Sequence, residues 1–202
     1  HTLLMCNFAQ ASKLKVGFAQ LPVTPSVIDE WVDVNNDSQF DPDIDTWTDK
    51  NGNGVFDPVW IAGFQKGRAA QGIKDDLMAV AVVIDDGDQR MAVVAVDTIG
   101  LMRKFVLDVR QSANKEWGLD HLMIHATHNH EGPDTQGLWG PDLFESGVNQ
   151  DYMRELKGSI LSVIATAISK LEPAEMSIAR IAADPRTPIK DKRKPIVIDE
   201  DI

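Results

Sequence analysis

Apolar positions along this chain alternate one-on, one-off in some stretches and recur every three or four residues in others. Leu14, Val16 and Phe18 alternate with polar or small neighbours, which predicts an opening strand. A long stretch without regular pattern runs from there to about Gly72. "LMAVAVVID" (77–85) and "RMAVVAVD" (90–97) are β-branched apolar runs joined through Asp86-Gly87, the signature of a hairpin between buried strands. Helical spacing follows over 102–117, carried by Met102, Phe105, Val106, Val109 and Ala113 and stopped at Gly118. "HLMIHA" (121–126) predicts another strand, and a loop leads on to about Gln150. The clearest helix covers 151–171, with Met153, Leu156, Ile160, Val163, Ile164, Ala167 and Leu171 on one face and Pro173 beyond its end. "EMSIARIAA" (175–183) predicts a strand, and "PIVID" (195–199) begins one more. This order predicts an α/β domain, a mixed sheet with flanking helices, whose ligand loops sit at strand ends.

Composition narrows the partners. At 202 residues, 43% hydrophobic and 25% charged, the chain suits a single core. Its formal net charge of -11 argues against nucleic acid, because neutralising phosphates takes clustered Lys and Arg. The one basic cluster, Lys190, Lys192, Arg193 and Lys194, reads as a solvated loop. No stretch approaches the roughly 20 uninterrupted apolar residues of a membrane span, so no transmembrane segment is expected.

The amino terminus bears on compartment. "LLMCNFAQAS" reads as the tail of an apolar segment ending in Ala9-Gln10-Ala11, the small-residue pattern that signal peptidase accepts. Residues 1–11 are therefore expected to be a signal-peptide remnant, residues 12–202 the exported portion, and the location secreted or periplasmic. Cys6, the single cysteine, would leave with the signal. Any metal in the remainder must then rely on His, Asp, Glu or Tyr.

The irregular stretch holds a repeated acidic pattern over 33–58: Asp33, Asn35, Asp37, Asp41, then Asp49, Asn51, Asn53, Asp57. Oxygen side chains at positions 1, 3, 5 and 9 of a tight loop, with Gly52 and Gly54 permitting left-handed turns, suit a hard cation that takes six to eight oxygens. Calcium is the natural candidate. An EF-hand would need Glu at position 12, where Ile44 and Trp60 stand, so the likeness is to the calcium loops of extracellular proteins. The expected role is structural, since so many carboxylates repel one another without a cation.

"ATHNHEGPD" (126–134) carries the candidate chemistry. If the segment is extended, His128 and His130 project from one face and can share an ion, whereas His125 has the other parity and reads as a core or supporting residue. Asp97, at the end of a buried strand, either orients a histidine or caps the following turn. "THNHEGPD" resembles the Thr-His-Thr-His-Ser-Gly-Pro-Gly signature of the neutral/alkaline, non-lysosomal ceramidases, zinc amidohydrolases that cleave ceramide. "KVGFAQLPVTP" looks like that family's opening strand and Thr-Pro turn, "VVAVDTIGL" like its Asp-bearing strand, and "ISKLEPAEMSIARIAAD" like its helix-to-strand passage. The likeness spans about residues 14–199 and the amino-terminal part of the family's catalytic domain.

The resemblance implies a zinc-ligand histidine at His128 and, at His130, an active-site residue near the bound water. It also implies that the remaining ligands, a histidine, a glutamate and a tyrosine, come from sequence beyond Ile202, so a downstream part of the same protein is an expected partner. The chain departs from the signature at Asn129, Glu131 and Asp134-Thr135, which puts polar and acidic groups beside the expected substrate path. The leading expectation is an exported zinc-dependent hydrolase of amide bonds, in ceramide-like or other small-molecule or lipid N-acyl substrates. The alternatives are a calcium-dependent extracellular binding module and a metal-dependent esterase on the same scaffold.

Overall fold

The computed structural model describes residues 13–27 and 29–179. The candidate signal remnant at 1–11 and the apolar run at 195–199 lie outside the described residues. The fold is mixed α/β. Strand β1 (Lys15–Pro22) is followed by two three-residue strands, β2 (Glu30–Val32) and β3 (Thr46–Thr48). β4 (Met78–Asp85) and β5 (Arg90–Val96) form the expected hairpin, then come helix α1 (Arg103–Ser112), β6 (His121–Ala126), helix α2 (Gln150–Ser169) and β7 (Glu172–Pro173). The main sheet has the order β6-β5-β4-β1-β7, and only β5 and β6, joined through α1, run parallel.

Small residues decide which face of the sheet takes the helices. Gly17 and Ala19 on β1, Ala79 and Ala81 on β4 and Ala92 on β5 point to one side, and α2 lays Leu156, Ile160, Val163, Ile164 and Ala167 on them. A Cβ at position 17 would overlap the Ala167 carbonyl oxygen, so only glycine lets α2 approach this closely. The opposite face is built from larger side chains. Phe18, Val82, Val93 and Met123 form one apolar row across four strands, and among the described residues nothing covers it: Phe18 is 51% exposed and Met123 52%.

Three sequence expectations shift. The helix expected over 102–117 is α1 plus a separate 3₁₀ turn at Lys115–Trp117, because Ala113 and Asn114 are extended and the Asn114 side chain accepts the Glu116 N–H; Gly118 does end the passage, at φ +60°. The strand expected over 175–183 is instead the short pairing of Glu172–Pro173 with β1, the backbone of 174–179 is not in a strand, and the rest lies outside the described residues. The stretch up to Gly72 is less irregular than its pattern, since β2 and β3 pair within it.

At the hairpin's end, Arg90 donates to Asp85 Oδ2 through Nε (2.9 Å) and Nη2 (2.6 Å), and Gly87 N–H donates to Oδ1 at 2.8 Å. The Arg90 guanidinium, then Gly87, hold the Asp85 carboxyl below the usual carboxylate range. A depressed folded pKa contributes stability above the unfolded value of about 3.9 and loses it as pH falls through the folded value. The melting-temperature gap between wild type and Asp85→Asn is therefore expected to be constant from neutral pH to about 5 and to close below about 4. Thermal melts across that range check it.

Candidate functional site

β6 delivers the histidine motif to the carboxyl end of the parallel pair, where Thr127 N–H donates to the Val96 carbonyl and Asn129 N–H to the Thr98 carbonyl. The two imidazoles converge, but not through strand alternation: His128 turns into the left-handed region at φ +66°, which few non-glycine residues adopt. His128 Nδ1 lies 2.7 Å from the Ile99 carbonyl oxygen, and a carbonyl can only accept, so Nδ1 carries the proton and Nε2 is left with its lone pair. His130 Nε2 stands 3.1 Å from it, the rings meeting edge to face at 4.7 Å between centroids.

A strip the sequence reading passed over forms the wall beside this pair. Trp60 and Ala69 bridge each other, Ile61 bridges Pro133, and Ala62 N–H donates to the Gly132 carbonyl at 2.9 Å. These contacts press Gly63 onto His130. At Gly63, φ is +119° and a Cβ would lie 2.5 Å from the His130 Cβ. The Phe64 ring stands edge-on to His130 at 5.3 Å, and the Arg68 guanidinium lies 5.3 Å from the centre of that ring. Arg68 Nη2 donates to Glu131 at 2.7 Å, while its Nη1 is buried without a partner among the described residues. The available signal was the glycine bracket Gly63 to Gly67 in a stretch otherwise without periodicity.

Other expectations are corrected here. Asp97 touches neither imidazole: its carboxylate accepts the Met78 N–H and the Thr127 hydroxyl, both at 2.9 Å, and so fixes the residue before His128. The Ile99 carbonyl orients the ring in its place. His125 is exposed on the uncovered face of β6, not in the core. Asp134 and Thr135, expected beside a substrate path, are 1% and 3% exposed. Asp134 accepts the N–H groups of Gln136, Gly137 and Trp139, and Thr135 donates to the Gly100 carbonyl, so both organise the loop. Tyr152 is buried in the core, with its ionisation opposed by burial and by Glu155. A cavity of about 540 Å³ borders the motif on apolar walls that include Val59, Ile61 and Leu77. Asp97, Asn129 and Glu131 line it, and the two histidines do not.

The acidic stretch folds as two copies of one unit. Asp29, Trp31, Asp33, Asn35, Phe40, Asp41 and Pro42 recur sixteen positions later as Asp45, Trp47, Asp49, Asn51, Phe56, Asp57 and Pro58. Trp31 and Trp47 face each other in β2 and β3, and the Phe40 and Phe56 rings pack 4.1 Å apart. Left-handed residues fall at matching places, Asn36 and Ser38 in one copy and Gly52 and Gly54 in the other. Each copy's buried carboxylate holds the other copy: Asp29 accepts from Lys50 and Asp57 N–H, Asp45 from Val34 and Asp41 N–H. The reading from sequence found the loop oxygens but not these crossed aspartates or the aromatic pairs.

The eight loop residues turn partly on their own backbones. Asp33 accepts the Asp37 and Ser38 N–H groups, and Asp49 those of Gly52, Asn53 and Gly54. Gly54 N–H foremost holds Asp49 below the usual carboxylate range. Asp37 and Asn53 each accept an N–H two residues on, as do Asn35 and Asn51, while Asp57 receives the side-chain amides of Asn51 and Asn53. Asp41 accepts the Asp43 N–H. Among the described residues no three His, Cys, Asp or Glu side chains converge as a metal group.

Comparison with known proteins gives a fold and no more. No family model matches the chain, and no curated protein matches it by sequence. Among solved structures it is similar to the neutral ceramidase of Pseudomonas aeruginosa, with a TM-score of 0.56 and 17% identity over 84% of this chain. The match covers 25% of that ceramidase, so the chain spans about a quarter of its length. The five-stranded mixed sheet with its two helices thus has the fold of part of a neutral ceramidase.

Proposed function

We propose that the protein is a zinc-dependent hydrolase of amide bonds in ceramide-like or other N-acyl substrates, secreted or periplasmic, with part of its zinc site supplied outside this chain. The observation that carries this reading is the convergence of two imidazole nitrogens, one of them His128 Nε2, left as the acceptor because Nδ1–H donates to the Ile99 carbonyl, on a motif that resembles the ceramidase signature and stands on a ceramidase-like fold. The residues fit the metal. His128 Nδ1 is engaged by the Ile99 carbonyl, which leaves Nε2 as the nitrogen that could bind the ion.

His128 is the proposed zinc ligand, since its tautomer is set for it. Zinc held there would polarise the amide carbonyl and supply a hydroxide at neutral pH. His130 Nε2 lies 3.1 Å from His128 Nε2 on the same side and would serve as the group that takes and returns a proton. Asp97 supports the pair through Thr127. Calcium in the paired loops, on Asp33, Asn35, Asp37 and Asp41 and on Asp49, Asn51, Asn53 and Asp57, is proposed as the structural cation. The duplicated spacing supports it, together with left-handed turns at matching places in the two loops.

Substitution separates the two histidines. His128→Ala is expected to remove both zinc and hydrolysis of an N-acyl amide, whereas His130→Ala lowers the rate by about 100-fold or more with zinc largely retained. Elemental analysis beside the assay decides it. Zinc equal to wild type in His128→Ala, or no zinc in wild-type protein that contains the rest of the site, refutes the reading.

A further inference from the structure

We propose that residues 29–58 act as a single clamp, in which Asp29 and Asp45 are positioning residues for His130. Two bonds tie the clamp to the wall of the histidine pair: Phe40 N–H donates to the Gly67 carbonyl at 2.7 Å, and Trp31 Nε1–H to the Ala69 carbonyl at 3.2 Å. The far end of the same strip presses Gly63 on His130. Both ties leave from the first copy, yet that copy is held by the second, since Asp45 accepts the Val34 and Asp41 N–H groups on either side of the first loop. Asp29 closes the circle by holding the second copy at Lys50 and Asp57.

Asp29 and Asp45 are 0% and 6% exposed, and each uses both carboxylate oxygens as acceptors. Asparagine keeps the shape and offers one acceptor, so its amide NH₂ would face a backbone N–H, donor against donor. Because the holding is crossed, a fault in either copy spreads to both and then along 60–69 to the imidazole. The inference adds to the proposed hydrolase a reason for the acidic segment, and rests on that reading only where activity is measured.

The test uses the isotope-labelled chain at one fixed pH for the spectra, and protein that also contains the rest of the zinc site for turnover. Asp29→Asn and Asp45→Asn are each expected to move the indole N–H resonances of both Trp31 and Trp47 and the His130 ring Cε1–H resonance. The double variant should add little to either single one, and catalytic turnover should fall at least several-fold in each. Trp31→Phe keeps an aromatic ring in the cluster but severs the tie to Ala69, and it should move the His130 resonance even if the aspartate variants unfold the segment. The clamp is overturned if Asp29→Asn disturbs one copy alone, if effects of the two substitutions simply add, or if His130 is unmoved by Trp31→Phe. A His130 shift in the chain, with no amide hydrolysis by protein that contains the rest of the zinc site, would sink the proposed function and leave the clamp standing.

Discussion

Gly63→Ala is expected to cost the protein at least about 100-fold in turnover while leaving the sheet folded. The added methyl would stand 2.5 Å from the His130 Cβ, about 1 Å inside an ordinary carbon contact, and the backbone there is at φ +119°, which side-chain-bearing residues rarely adopt. One of the two must give. The strip is bridged to Pro133 and hydrogen-bonded at Ala62, so the side chain with room to move is His130, which closes one side of the pair. A displacement of about 1 Å at a reacting group is enough for a loss of that size. Gly158→Ala is the control: its Cβ would meet nothing within 4 Å, it lies on the exposed side of α2, and alanine favours a helix. Turnover and far-ultraviolet circular dichroism, measured together on both variants, check the prediction. Wild-type turnover in Gly63→Ala would mean that the wall does not set His130.

Removing calcium is expected to lower the melting temperature by roughly 10–20 °C. A cation present at about 100 times its dissociation constant stabilises by about 2.7 kcal/mol per site, so two sites give about 5 kcal/mol, and a domain of this size shifts by about 2–4 °C per kcal/mol. Without the cation, the loops must also hold Asp33, Asp37, Asp41, Asp49 and Asp57 within one small unit. Chelation followed by thermal melting, with calcium and then magnesium added back, tests this. An unchanged melting temperature would remove calcium from the account, and the aspartate crossing would remain.

Much of the sheet could be read from the sequence because its strands are long enough for a pattern to show. The eight-residue β4 and seven-residue β5 are near-unbroken β-branched apolar runs joined at Asp86-Gly87, and α2 keeps one apolar face over twenty residues. β2 and β3 escaped, since three residues cannot display an alternation; what marks them is the recurrence of tryptophan sixteen positions on. The histidine pair was visible as spacing, and its convergence was anticipated for the wrong reason, because a left-handed φ leaves no trace in residue types when the residue is not glycine. Gly63, Phe64 and Arg68 were invisible as site residues. They reach His130 and Glu131 from a distant part of the chain, and no local pattern encodes such a meeting.

The two copies of the acidic unit differ in one respect that bears on the order of their assembly. The second reaches its left-handed turns with Gly52 and Gly54, the first with Asn36 and Ser38. A side-chain-bearing residue pays about 1–2 kcal/mol for that conformation, less for asparagine, so the first loop cannot form early on its own account. The glycine loop is therefore expected to close before the first loop, with Asp45 at its approach taking the Val34 and Asp41 N–H groups of the strained one, an order that residue-by-residue folding kinetics would check.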